Sequence, residues 1–290
     1  MKNKINHTKR LKSNPHQFRR LTGITIDKFD KIYQELRSKY EDYNYERLNR
    51  RDRKRKIGGG NKFKLSLEDR LLMILIYYRT YVSYAFLSFL FGIDESNVKR
   101  NKEPIEKLLS GIFRIPEKKV QMSKDEIMEI FFDGMEQHIQ RPRKEQRKWY
   151  SGKKKRHTIK HQVMAAKVRD KKGKERVRIK GVSPSYYGKT HDKKIYDKSK
   201  TMEPSGVPKY GDSAYIGTGM IVPKKKPRGG KLTEEEKECN RIHASLRIRI
   251  EHAIGKMKIW RILSERYRNR LKDHTIIVKN VAGLHNLMYG

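Results

Sequence analysis

The chain has 290 residues, enough for two or three small domains with cores of their own. Lys and Arg number 71 against 33 acids, a formal net charge of +38, and a surplus that size repels itself unless a polyanion screens it. Nucleic acid is the leading partner and a ribosomal or membrane surface the blander one, while the single cysteine, Cys239, excludes an internal disulfide and a cysteine-based zinc site.

The first ten residues, MKNKINHTKR, carry no apolar stretch of the kind a signal peptide needs. Leu65 to Phe91 is the most apolar segment, but Glu68, Asp69, Arg70 and Arg79 interrupt it too often for a membrane span. A cytoplasmic, nucleoid-associated location is the expectation.

Residues 1–20 are basic and weakly patterned and read as flexible. A helix follows, with Thr25 as cap and Phe29, Ile32, Tyr33 and Leu36 on one face. The run RLNRRDRKRK from Arg47, then Gly58 to Asn61, reads as a solvated linker that can lie along phosphates. Ser66 precedes a strongly apolar helix, with Asp69 at capping-box distance, and Leu67, Leu71, Ile74, Leu75 and Tyr78 on one face. Ser83 caps a short second helix, Gly92 makes a turn, and Asp94 or Ser96 caps a third helix through Leu109. Helix, short helix, glycine turn, helix is the helix-turn-helix pattern, and the last helix would offer Asn97, Lys99, Arg100 and Lys102 to a DNA groove. An ordinary three-helix bundle reads the same way, and Pro104 would kink or shorten the last helix.

After Pro116 the pattern becomes strand-like. Ile127 to Phe132 is short and β-prone and ends at Asp133. From Arg141 to Lys180 there are 18 Lys or Arg against 3 acids, with Trp149 and Tyr150 among them, a mixture that suits stacking on unpaired bases as well as phosphate binding. His161 to Val168 and Glu175 to Val182 read as two more strands, joined by a turn at Lys171 to Lys174, which makes an antiparallel meander with the first. A short strand before Asp212 and a long helix from Thr233 to about Ser264 complete the pattern; Ile242, Leu246, Ile250, Ala253, Ile254 and Met257 form that helix's apolar face.

Carboxylates from different elements, set in a basic chain, suit a two-metal site that cuts nucleic acid, because Mg²⁺ prefers oxygen ligands and two or three acids suffice. Asp133 and Asp212 follow strand-like runs, and Glu251 is the sole acid between Glu238 and Glu265. Its plainer role is an i,i+4 pair with Arg247. Asp192, beside His191 in THDKKIYD, competes with Asp212 for the second position; Asp212 is preferred because it ends a strand-like run. Glu136 shares the local segment of Asp133 and adds no second element.

The stretches FFDGMEQHIQRP, YSGKKKRHTIKHQV, SPSYYGKTHD, GDSAYIG, PKKKPRGGKLTEEEKECNR and IRIEHAIGKMKIWRIL-SERYRNR resemble successive blocks of the catalytic domain of DDE-superfamily insertion-sequence transposases related to the Harbinger elements. Residues 64–109 resemble the helix-turn-helix that opens many of them. The resemblance implies an α+β or α/β architecture: a helical helix-turn-helix domain, then a ribonuclease-H-like mixed sheet flanked by helices. It also implies catalytic and metal-binding roles for Asp133, Asp212 and Glu251, with two Mg²⁺ or Mn²⁺ ions. The expected domains are a basic arm at 1–60, the DNA-binding domain at 61–116 and the catalytic domain at 120–290. The expected activity is cleavage and strand transfer at the terminal inverted repeats of a mobile element, by a homo-oligomer assembled on DNA. Lys153, Lys154, Lys155 and Arg156, with Lys224, Lys225, Lys226 and Arg228, would neutralise backbone phosphates. Met135 departs from the usual pattern, where a small hydroxyl residue is common. A non-catalytic DNA-binding relative would use the same basic surface without needing the acids.

Overall fold

The computed structural model describes residues 6–49, 56, 62–117, 127–169, 173–199 and 206–290. Most of the expected basic linker (50–55), Gly58 to Asn61, and Lys171 and Lys172 of the expected turn lie outside the described residues. Two compact units form: Met1–Arg114 with Trp260–Ile262, and Ile115–Ile259 with Leu263–Gly290.

The first unit is helical. Contrary to the expectation of a flexible start, residues 7–22 fold as α1 (His7–Lys12) and α2 (Pro15–Thr22). Asn6 and Asn14 cap them, and Pro15 occupies the first turn of α2, where its missing N–H costs nothing. Phe18 is fully buried against Phe29 of α3 (Ile26–Leu48). Ser66 caps α4 (Leu67–Thr80) by accepting from the Asp69 N–H, but Asp69 does not close a capping box. Its carboxylate instead accepts from the Thr8 N–H and hydroxyl at 2.9 and 2.8 Å, tying α1 to α4. Helix α4 is buried from Asp69 to Tyr78 rather than along one face, because other helices surround it. Ser83 caps α5 (Tyr84–Phe91), Gly92 sits at φ +60°, and Asp94 caps α6 (Glu95–Phe113), which runs unbroken through Pro104.

In the second unit, β1 (Ile127–His138) is twice the expected length, so Asp133 lies mid-strand. A single turn, α7 (Gln146–Trp149), leads to β2 (Tyr150–Ser151) and the long β3 (Arg156–Arg169). β3 pairs antiparallel with β1, setting Asp133 opposite Val163, and with β4 (Glu175–Val182), so the expected meander forms. β5 (Tyr186–Tyr187) adds to β3 and is followed by α8 (Asp192–Ser199). β6 (Lys209–Tyr210) pairs parallel to β1 on its other edge. Helix α9 (Glu234–Lys258) starts with a complete capping box between Thr233 and Glu236 and ends six residues before the expected Ser264. A short turn, α10 (Arg261–Ser264), and α11 (His274–Tyr289) follow; α9 and α11 pack on the sheet.

β3 is buried from Thr158 to Ala166 because both faces of the sheet are covered there. Ile130 and Phe132 of β1 join Met164, Ala166, Val207, Tyr215 and Met220 in one core, with Tyr196 of α8 against it. Three consecutive polar side chains on β3 are buried, and each needs partners there. Gln162 donates to the Tyr215 hydroxyl at 3.1 Å; His161 donates through Nδ1 to the Ser183 carbonyl at 2.8 Å, and its Nε2 is hydrogen-bonded to His274 Nδ1 at 2.7 Å. Lys160 belongs to the carboxylate cluster.

Candidate active site

Alternation along β1 sorts the cluster onto two faces. Asp133 points toward α9, where Arg247 Nη2 stands 3.6 Å from Asp133 Oδ1 and 3.8 Å from Glu251 Oε1. Gly134 and Glu136 point toward α8. There Asp192 packs directly on the strand: a Cβ at Gly134 would lie 2.6 Å from Asp192 Oδ1. Lys160 Nζ, from the neighbouring strand, holds this side together, 3.0 Å from Glu136 Oε1 and 3.3 Å from Asp192 Oδ1, and donates to the Thr190 carbonyl at 3.1 Å.

Asp212 lies two residues beyond β6 instead of ending a strand. Its carboxylate accepts from the Ala214 N–H at 2.9 Å, capping the turn Ser213–Tyr215. Close packing just before it is possible because Gly211 has no side chain; a Cβ there would meet Tyr215 and the Met220 sulfur.

Burial raises the Asp133 pKa to about 6. The Arg247 charge and the Gly134 N–H oppose the shift, and the negative charges of Asp212 and Asp192 add to it. Asp133, Asp212 and Asp192 therefore share one electrostatic environment. Glu251 is the outlier, with about half its side chain exposed and its link to Asp133 running through Arg247. Lys258 is exposed, yet crowding around its ammonium and the nearby Lys154 charge lower its pKa, opposed by Asp133 and Glu136.

All these donors are carboxylate oxygens, which suits a hard divalent cation, and a positive charge beside Asp133 would relieve what burial imposes. Among the described residues no three His, Cys, Asp or Glu side chains already form a metal-holding group. Arg247 occupies the space between the first and third acids.

The basic residues divide. Lys153 to Arg156 form the exposed turn into β3, and Lys224, Lys225, Lys226 and Arg228 are exposed, with the Lys224 backbone pinned by Asn240 of α9. On α6, Arg100 is exposed and bonds Asn97 at 3.3 Å, while Lys99 pairs with Glu103 at 3.6 Å. Lys102 was expected to face DNA but is buried: its ammonium meets Glu106 at 2.8 Å and lies over the Tyr77 ring. Ile242 was placed on the apolar face of α9 and is instead half exposed. Sequence reasoning missed Lys160 and the reach of Arg247 to Asp133. A lysine opening a near-continuous apolar strand was the available signal for the first; no local signal marks the second.

Comparison with known proteins gives the family. Residues 132–286 match the family model for the DDE superfamily endonuclease, and residues 63–114 match the helix-turn-helix of the DDE superfamily endonuclease. The chain is 31% identical, over 98% of its length and 97% of the relative's, to a protein assigned as a transposase for insertion sequence element IS702 in Microchaete diplosiphon. It is 27% identical, over 79% of its length and 82% of the relative's, to one assigned to insertion sequence element IS112 in Streptomyces albus G. No solved structure matches the chain significantly. With the endonuclease model matched over more than half of the chain, the helix-turn-helix model ahead of it and a relative similar over nearly the whole length, the chain belongs to the DDE superfamily of insertion-sequence transposases.

Proposed function

We propose that the protein is an active transposase that binds the terminal repeats of its own element and cuts and joins DNA at the carboxylate cluster. The observation that carries the reading is the electrostatic coupling of Asp133 to Asp212 and Asp192 in a strongly basic chain. The meander β1–β3–β4 with β6 parallel to β1 supports a ribonuclease-H-like sheet for the catalytic domain, 120–290, and α4–α6 support a DNA-binding domain at 61–116.

Asp133, Asp212 and Glu251 would hold Mg²⁺ or Mn²⁺, which when bound polarises the attacking and leaving oxygens of a phosphodiester. Water first attacks phosphorus at the element's end; the P–O3′ bond breaks and its oxygen leaves as a 3′-hydroxyl. That hydroxyl then attacks a target phosphodiester, forming one P–O bond as another breaks. The Gly134 N–H fixes one Asp133 oxygen, Arg247 balances the charge of Asp133 and Glu251, and Lys154 and Lys258 supply positive charge for the incoming phosphate. DNA is bound by Asn97, Lys99 and Arg100 and by the two exposed basic segments, in a homo-oligomer that pairs two ends.

The test uses a labelled duplex carrying the element's end. Strand scission in Mg²⁺ that stops in EDTA while binding persists supports the reading. Binding without scission in either condition identifies a catalytically inactive relative.

A further inference from the structure

The second unit contains an open groove of about 710 Å³ whose lining is both aromatic and basic. One wall carries Trp149 and Tyr187, with ring centroids 4.6 Å apart and edge to face. Tyr187 is fixed in place: its hydroxyl donates to Glu145 at 2.9 Å, and Lys148 Nζ lies 5.6 Å from its ring centroid. Lys194 and Lys198 of α8, i and i+4 and so on one helix face, also line the groove, with Lys189 just before the helix. These three lysines form no ion pair with an acid among the described residues, and Glu145, beside the aromatic wall, is already taken by Lys148 and Tyr187.

Duplex phosphates need cations and gain nothing from aromatic rings. Unpaired nucleotides use both, because every base has a face to stack and every linkage a charge. The groove also adjoins the carboxylates. Thr190 lines it and accepts from Lys160, and Asp192, two residues on, lies against Gly134.

We propose that this groove binds an unpaired stretch of DNA, seating a base on the Trp149–Tyr187 wall and its phosphates on Lys189, Lys194 and Lys198. The strand would then run toward Asp133, so that bases opened at an element's end are held beside the acids. The inference rests on the transposase reading for its purpose, but not for its measurement.

The full-length protein is titrated, in EDTA at fixed salt, against a fluorescein-labelled single-stranded 12-mer and against the blunt duplex of the same sequence. Lys194→Ala/Lys198→Ala alters two exposed helix positions and keeps the fold; Trp149→Ala is taken alongside, each checked by thermal melting. Both are expected to weaken single-strand binding about tenfold while duplex binding changes less than about threefold, consistent with stacking and phosphate contacts of ordinary strength. Unchanged single-strand binding, an equal loss for duplex, or tighter groove-dependent binding of the matching RNA overturns the proposal. Scission of the element's end in Mg²⁺ is scored separately. Scission with no groove effect sinks the groove alone, and a groove effect without scission sinks the transposase reading alone.

Discussion

Replacing Gly134 with alanine puts a methyl carbon 2.6 Å from Asp192 Oδ1 and 3.2 Å from its Cγ, well inside the 3.5–4.0 Å of a favourable carbon contact. On backbone grounds alone the change should help, since alanine costs about 0.5–1 kcal/mol less than glycine inside a strand. Retreat of Asp192 would stretch its 3.3 Å ion pair with Lys160 Nζ, which also donates to the Thr190 carbonyl at 3.1 Å. Overpacking of this kind costs about 1–3 kcal/mol, so the net loss should be about 0–2.5 kcal/mol. Urea unfolding of Gly134→Ala, Asp192→Ala and the double variant isolates the contact. With Asp192 shortened the methyl finds room, and Gly134→Ala should become neutral or stabilising, giving a coupling of about 1–2 kcal/mol. Additivity to within about 0.5 kcal/mol would refute the packing of Asp192 on the strand beside Asp133.

Lys160→Met should destabilise by about 3–5 kcal/mol in the same assay, because it strands Glu136 and Asp192 without their shared cation; a loss below about 1 kcal/mol would contradict the buried triad. Lys102→Ala should lower the melting temperature while leaving affinity for the element's end unchanged, since Glu106 and Tyr77 enclose its ammonium; Arg100→Ala should do the reverse. Burial pushes His161 down to about 4, against a hydrogen bond to the Ser183 carbonyl that favours the charged ring. The folded chain therefore keeps this ring neutral while the unfolded chain protonates near 6.5, so its contribution is complete above that pH and declines as pH falls toward 4. The decline is on the order of 3 kcal/mol, and a His161→Gln variant should show a correspondingly flatter stability profile between pH 6.5 and 4.

Local chemistry made much of the architecture legible. Ser66, Ser83, Asp94 and Thr233 each cap the helix they precede, because a side-chain oxygen beside unpaired N–H groups is a short-range requirement. The antiparallel meander was readable from apolar runs separated by turns. Long-range closure was not. The burial of Lys102 depends on Tyr77 from another helix, and the spacing to Glu106 is equally common on solvated faces. Asp192 read as a rival to Asp212, whereas the fold brings both to Asp133; the missing Cβ of Gly134 makes room, and nothing in THDKKIYD announces the strand it meets. Arg247 read as a surface partner of Glu251, but the packing of α9 on β1 carries its guanidinium to Asp133 as well.

The most direct test of the account is Mg²⁺-dependent nicking of a labelled element end by Asp133→Asn, Asp212→Asn, Glu251→Gln and Asp192→Asn, each first shown to bind that DNA as wild type does. Loss of nicking by a factor of about 10³ or more in the first three, with residual turnover in Asp192→Asn, is the predicted pattern. Full activity in Asp212→Asn, together with none in Asp192→Asn, would contradict it and move the second catalytic acid to α8.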